Sequence, residues 1–331
     1  MKPLIEARHV SKRFTRPPDL AAKMAALLGG KARHEVVHAL DNVSLGLAEG
    51  EVLGLVGESG SGKSTLGRIL AGIWEASDGE VLFEGERRDD LGSGDRRKAD
   101  LAVQMVFQDP MSSLNPRMRI ADIIGEAPLF HGIVPKSQLA AYVADLMERV
   151  GLDPSFADRF PHQFSGGQRT RVGIARALAV KPRVIVADEA VASLDVSIQA
   201  QIINLFMQLR AEFGLAYLFI SHDLGVVRHL ADRVAILYLG RVVEIAPADE
   251  LFQNPGHPYT QALLANMPKL ETGKHAFAPL QGEIPSPLNP PTGCHFHPRC
   301  PFAMERCTTA VPVLQETARG RRSACHLNDH P

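Results

Sequence analysis

The sequence predicts an α/β protein, with a mostly parallel sheet covered on both faces by helices, a helical insert, and a small irregular C-terminal extension. Three observations lead there. Short apolar runs recur along the 331-residue chain, each closed by glycine or polar residues and followed by a helix-period stretch. One such run passes through a glycine-rich turn at 57–64 directly into a helix. Late in the chain, Pro285, Pro287, Pro290, Pro291, Pro298 and Pro301 fall within 17 residues, too dense for much helix or sheet.

In chain order, residues 16–37, "RPPDLAAKMAALLGGKARHEVV", read as an insertion or mobile loop, with a short helix as the competing reading. "EVLGLVG" is a buried strand and "KSTLGRILAGI" the helix after it. The charged runs "EGERRDD" and "GDRRKAD" near residue 90 read as solvated loops. Residues 110–164 hold helix-period segments such as "QLAAYVADLMERVGL" and almost no strand signal, the mark of a helical insert that reaches to about residue 180. "RVIVAD" and "LAYLFISHD" are further buried strands, and "RVAILYLGRVVE" is a hairpin turning at Gly240. "NPGHPYTQALL" reads as a surface turn leading into a helix. Residues 1–265 then form one domain and 266–331 its extension, and a tail of about 60 residues is near the size where a hydrophobic core alone fails to hold a fold.

Lys plus Arg (36) nearly cancels Asp plus Glu (37), so no overall field favours nucleic acid or an anionic membrane surface. The opening "MKPLIEARHV" does not read as a secretory signal, and nowhere do about 18 apolar residues run together. A soluble, cytosolic protein is expected, whose thiols stay reduced.

The turn Gly57-Glu58-Ser59-Gly60-Ser61-Gly62-Lys63-Ser64-Thr65 fits G-x-x-x-x-G-K-[ST] between strand and helix. Its glycines let backbone N–H groups wrap phosphates, Lys63 reaches the β and γ phosphates, and the Ser64 hydroxyl ligates Mg²⁺. Such a site needs a second carboxylate at a neighbouring strand end, which "RVIVADE" supplies as Asp188. Glu189 then projects towards the γ-phosphate as proton acceptor for an attacking water. A second glycine turn, "FSGGQRTRVGIARAL", opens another helix and offers its positive end to an anion. Since the phosphates are already wrapped at 57–64, this turn is expected to cap the nucleotide of another subunit.

With both turns in place, residues 4–265 resemble the nucleotide-binding subunit of an ABC transporter. The resemblance implies a P-loop ATPase of ABC type, with a RecA-like core, an antiparallel β edge and a helical insert. It also implies roles for matching residues. Phe14 in "VSKRF" resembles the aromatic that stacks on adenine, with a core phenylalanine as the alternative. Gln108 in "VFQDP" matches the glutamine that senses Mg²⁺ and water. Ser165, Gly166, Gly167 and Gln168 match the signature that contacts ATP across a dimer, Asp195 in "SLD" the loop coupling the two sites, and His222 in "ISHD" the histidine that contacts the γ-phosphate. The chain departs from the family where Ala190-Val191 replaces the usual Pro-Thr and where Thr170 stands at a common glutamine position.

"QDPMSSLNPR", "NPGHPYTQALL" and "GEIPSPLNPPTGCHFHPRCPFAMERC" resemble the ATP-binding subunits of oligopeptide and dipeptide permeases. That implies ATP-driven import through two separate membrane permease subunits, beside a second ATPase copy or relative, indirectly with an extracytoplasmic binding protein and without nucleic acid, at the cytoplasmic face of the membrane. Nickel, oligosaccharide and glutathione importers share this ATPase type, so those cargoes stay open. A soluble ABC ATPase in DNA repair or translation is the distant alternative.

All four cysteines, Cys294, Cys300, Cys307 and Cys325, lie in the last 38 residues, spaced C-x5-C-x6-C-x17-C, with no C-x2-C pair. Clustering in a tail too proline-rich to fold by packing points to a metal that supplies folding energy. The permease resemblance implies a [4Fe–4S] cluster; zinc with help from His295, His297 or His326, and unligated thiols, are the alternatives.

Overall fold

The structure is a computed structural model and describes residues 2–16, 35–267, 282–317 and 321–329. The insertion read at 16–37 lies mostly outside the described residues.

The centre is an eight-stranded sheet in the order β11-β12-β10-β9-β3-β8-β7-β6. Its parallel part comprises β3 (Val52–Val56), β6 (Val103–Val106), β7 (Val184–Asp188), β8 (Ala216–Ser221) and β9 (Arg233–Tyr238). Every residue of β3, β7 and β8 is buried, which is why these strands read as unbroken apolar runs rather than alternating ones. The pleat sends Leu53, Leu55, Val186 and Leu218 to one face and Val52, Val56, Ile185 and Phe219 to the other.

The first face is covered by helix α1 (Lys63–Leu70) and by a separate antiparallel sheet, order β2-β1-β4-β5, made of β1 (Ile5–Arg16), β2 (Glu35–Leu47), β4 (Asp78–Phe83) and β5 (Glu86–Arg87). The second face is covered by helices. After α2 (Ser93–Ala102) and β6, the helices α3 (Ile120–Phe130), α4 (Leu139–Arg149) and α5 (Gly166–Leu178) follow with no strand until β7, so the helical insert is present. Beyond β7 come α6 (Val196–Phe213), α7 (Leu224–Leu230), α8 (Ala248–Gln253) and α9 (Pro258–Ala265). β9 and β10 (Arg241–Pro247) form the expected hairpin, Tyr238 opposite Arg241. Its two turn residues, Leu239 (φ 41°) and Gly240 (φ 78°), both take the left-handed conformation that lets a two-residue turn follow the strand twist.

Two expectations are corrected. The charged runs near residue 90 are not simply solvated loops, because "GDRRKAD" lies in α2 and Arg88 is buried. The Arg88 guanidinium donates to the Leu70 and Ala71 carbonyls and to Asp100, which end α1 and anchor α2. Nor is "GHPY" a surface turn, since His257 and Tyr259 are 1% and 0% exposed. Buried Glu244 on β10 accepts from the Gly256 and His257 amides at 2.7 and 3.0 Å, so a carboxylate under the sheet edge draws this loop inward.

The extension makes little regular structure through its proline-rich stretch, as expected. Past Pro312, however, β11 (Gln315–Thr317) and β12 (Arg321–Ser323) pair with each other and add to the main sheet, Ser323 opposite Glu244. Phe296, 1% exposed, also joins the main core, its ring 5.3 Å from those of both Tyr238 and Tyr259. Phe296→Ala is expected to destabilise the whole chain by about 3–5 kcal/mol through the cavity it leaves. In urea unfolding, one shifted cooperative transition would mark the extension as part of the core's folding unit, whereas an unshifted main transition would count against it.

Candidate functional site

The phosphate loop forms because β3 ends where the chain must turn back tightly. Gly57 packs so closely on β9 that a Cβ would meet the Leu237 carbonyl oxygen at 2.1 Å, and Gly62, at φ 106°, would place one 2.4 Å from the Ala39 carbonyl oxygen. Gly62 caps α1 without a side-chain hydrogen bond, and the helix has no acidic residue in its first turn. The first amides of α1 have no intrahelical acceptor, so its positive end is presented to an anion. Ser59 and Gly60 are exposed at the loop's crest, Ser61 is buried, and Thr65 is half-buried on α1.

Lys63 is buried, and Nζ donates to the Gly57 and Glu58 carbonyls at 2.7 and 2.9 Å, so the ammonium sits inside the loop. Burial pushes its pKa down, opposed by the charges of Glu189, Asp188 and Glu58. The Ser64 hydroxyl donates to Asp188 Oδ1 at 2.6 Å. Asp188, at the end of β7, is 1% exposed, and its pKa is raised by burial more than the Ser64 bond lowers it. A hydroxyl and a carboxylate oxygen held together beside a lysine fit magnesium, which takes oxygen ligands and keeps several waters.

Glu189 leaves β7 in the left-handed region, φ 47°, with its amide donating to the Ile220 carbonyl of β8. A non-glycine residue held there is strained, and such strain gathers at sites that need a fixed side-chain direction. Gln108 Nε2 donates to Glu189 Oε2 at 2.9 Å, and His222 Nδ1 lies 3.3 Å from the same oxygen. Gln108 and His222, from beyond the ends of the two strands that flank β7, thus converge on one carboxylate oxygen of Glu189. Ala190 and Val191 are buried beside it, in a turn closed by the Ala192 amide donating to the Glu189 carbonyl.

The other sequence-derived residues lie elsewhere. Ser165 caps α5, its Oγ accepting from the Gln168 amide at 3.3 Å while Gln168 Oε1 accepts from the Ser165 amide at 2.9 Å. Ser165 and Gly166 are exposed, Gly167 and Gln168 half-buried, and no hydrogen bond among the described residues joins 165–168 to 57–65. Asp195 caps α6 through its backbone, its exposed side chain making no capping bond. Thr170 is buried in α5, its hydroxyl donating to the Gly166 carbonyl. Phe14 stands on β1, 36% exposed and edge-on to Trp74 at 5.3 Å, so it is a surface aromatic rather than a core one.

Family models match residues 40–192 to the ABC transporter and residues 243–307 to the oligopeptide/dipeptide transporter C-terminal region. The oligopeptide transport ATP-binding protein AppF of Bacillus subtilis is 51% identical over 295 residues, covering 88% of this chain and 90% of that one. The chain belongs to the ATP-binding subunits of ABC transporters. A probable peptide ABC transporter ATP-binding protein of Sinorhizobium fredii, y4tS, is 50% identical over 298 residues, 90% of this chain and 84% of that one. Among solved structures, the ABC subunit resembles a dimeric, post-hydrolysis state of the cassette MJ0796 bound to ADP and Pi, with a TM-score of 0.62 at 28% identity over 74% of this chain and 98% of that one. The expected fold class is therefore borne out, and this ABC subunit is an ATPase. No helix among its described residues is long and apolar enough to cross a membrane.

The four cysteines line one small cavity with His257, His297 and His326. Burial raises the thiol pKa of Cys294 and Cys300, and that of Cys325 to about 11. Among the described residues, no three His, Cys, Asp or Glu side chains are grouped to hold a metal ion. Of the histidines expected to help zinc, His326 has both ring nitrogens engaged, with Asp329 and the Ala310 carbonyl, while His295 and His297 engage only Nδ1, with the Leu239 and Cys294 carbonyls.

Sequence reasoning missed Arg299 and Tyr259, which reach the phosphate loop from the extension and from α9. The Tyr259 hydroxyl accepts the Glu58 amide at 3.0 Å, and Arg299 pairs with both Glu58 carboxylate oxygens at 2.7 and 3.0 Å. The motifs "NPGHPY" and "HPRC" were visible, but nothing in their spacing says that they meet residue 58.

Proposed function

We propose that this ATPase powers the import of oligopeptides or dipeptides through two separate permease subunits, as a peripheral protein at the cytoplasmic face of the membrane, in a head-to-tail dimer with a second ABC ATPase. Residues 1–265 are the ATP-binding domain, with the helical insert at about 110–180, and residues 266–331 its extension. The observation that carries the catalytic part is the hydrogen-bonded set Ser64–Asp188 and Gln108–Glu189–His222 around Lys63. The names of the relatives and the C-terminal family model support the peptide cargo.

In this reading Ser64 and Asp188 would hold magnesium, with Gln108 sensing it, and Lys63 binds the phosphates together with those amides of the 57–65 loop that are not already bonded within the chain. Glu189 accepts a proton from the attacking water, directed by Gln108 and His222, and Lys63 and His222 stabilise the charge that develops on the γ-phosphate. Ser165–Gln168 face the other subunit's nucleotide, Asp195 couples the two sites, and Phe14 stacks on adenine. Reconstituted with its permease and binding protein in vesicles, the subunit is expected to drive ATP-dependent uptake of labelled peptides. Uptake of nickel, an oligosaccharide or glutathione in place of peptides would overturn the cargo.

The four cysteines are assigned to a [4Fe–4S] cluster. The cavity that all four line supports this, because a cluster of this type takes four thiolate ligands. Bound there, the cluster would cross-link four points of a tail with little packing of its own. Protein purified without air is expected to contain iron and acid-labile sulfide near four per chain. Zinc without sulfide, or no metal, would remove the cluster.

A further inference from the structure

We propose that Arg299 and Tyr259 are positioning residues for the phosphate loop, so that the loop's hold on nucleotide depends on whether the four-cysteine centre is formed. The inference rests on the ATP-binding reading above and goes beyond it, because neither residue belongs to a nucleotide motif.

Every polar group of Glu58 is committed. Its amide donates to Tyr259, its carbonyl accepts from Lys63 Nζ and the Ser61 amide, and its carboxylate takes the bidentate pair with Arg299. The Arg299 side chain is 4% exposed, and Nη1 also reaches the Tyr238 hydroxyl at 3.4 Å. A planar fork on a carboxylate fixes direction as well as distance. Glu58 is therefore held from outside the loop, and through its carbonyl it sets where Lys63 and Ser61 sit.

Arg299 is presented by the short turn between Cys294 and Cys300. In it the His297 amide donates to the Cys294 carbonyl and the Cys300 amide to the His297 carbonyl, while the Cys294 amide donates to the Cys307 carbonyl. Phe296, in the same turn, seats against Tyr238 and Tyr259. The turn thus has a cysteine at either end, and ligation of those two cysteines would lock Arg299 against the loop.

The test uses the full chain, with binding of a fluorescent ADP analogue and steady-state ATPase as readouts. Arg299→Gln is expected to raise the ATP KM and the ADP Kd about tenfold, with kcat at saturating ATP within about twofold. Glu58→Gln should do the same, and the double variant should be no worse than the poorer single variant. Arg299→Lys should recover part of the loss, and Tyr259→Phe, the mildest change, should raise KM about threefold. Cys300→Ser should match Arg299→Gln in KM and add nothing when combined with it. An unchanged KM in Arg299→Gln, or losses that multiply in the double variant, overturns the positioning role. An unchanged KM in Cys300→Ser overturns the link to the cysteines. If Arg299→Gln fails to fold, Tyr259→Phe and Arg299→Lys decide: wild-type KM in both overturns the proposal. Wild-type protein that binds no ADP, or Lys63→Ala that binds it as well as wild type, would instead sink the ATP-binding reading itself.

Discussion

Glu189→Gln is expected to lower kcat for ATP by about 100-fold or more while leaving nucleotide affinity within about twofold, because a well-placed general base contributes about 10²–10⁴. The change is nearly isosteric. It keeps the backbone strained at φ 47° and a side-chain oxygen near Gln108 and His222, and it removes only the capacity to accept a proton. With hydrolysis blocked and binding intact, an ATP-closed dimer should accumulate, seen as an earlier peak on size exclusion with Mg-ATP. A loss of about 100-fold corresponds to about 2.7 kcal/mol of transition-state stabilisation. A variant retaining turnover within tenfold of wild type would remove Glu189 from this role, and one that also lost nucleotide binding would make it structural.

Gly62→Ala should abolish nucleotide binding by a different route. At φ 106° an L side chain is strained, and its Cβ would sit 2.4 Å from the Ala39 carbonyl oxygen and 2.9 Å from Leu40 Cδ2. Backbone strain of about 1–3 kcal/mol adds to overpacking of similar size, so affinity for ATP should fall by more than about 30-fold. The loop must move away from β2 to relieve the contact, which takes Lys63 and Ser64 with it. Isothermal titration with Mg-ADP measures the loss, and far-UV circular dichroism checks that the sheets persist. Binding within fivefold of wild type would show that the loop tolerates another path and that its present conformation is not required.

Much of the site was legible beforehand for a physical reason: phosphate and magnesium chemistry is built from short local patterns. The turn at 57–65 carries its glycines, lysine and serine in nine consecutive residues, and Asp188 and Glu189 end an apolar strand that announces itself. His222 and Gln108 sit at other strand ends, so the parallel sheet brings them to Glu189 as a matter of topology. Burial of "GHPY" was not legible, since its cause is Glu244 on another strand and the phosphate loop beyond it. Likewise β11 and β12 are three-residue strands whose only strong signal is an open edge at β10.

By itself, then, the sequence determined the buried strands β3, β7 and β8, the hairpin of β9 and β10, the helical insert, the groups that meet phosphate and magnesium, and the presence of four cysteines in a proline-rich tail. Only the tertiary structure decided that this tail shares the core through Phe296, that its cysteines ring one cavity, and that Arg299 grips Glu58 across 241 residues of chain. Local patterns record which face of an element is apolar. Which distant polar groups satisfy one another is settled when the sheet closes and every buried charge must find a partner.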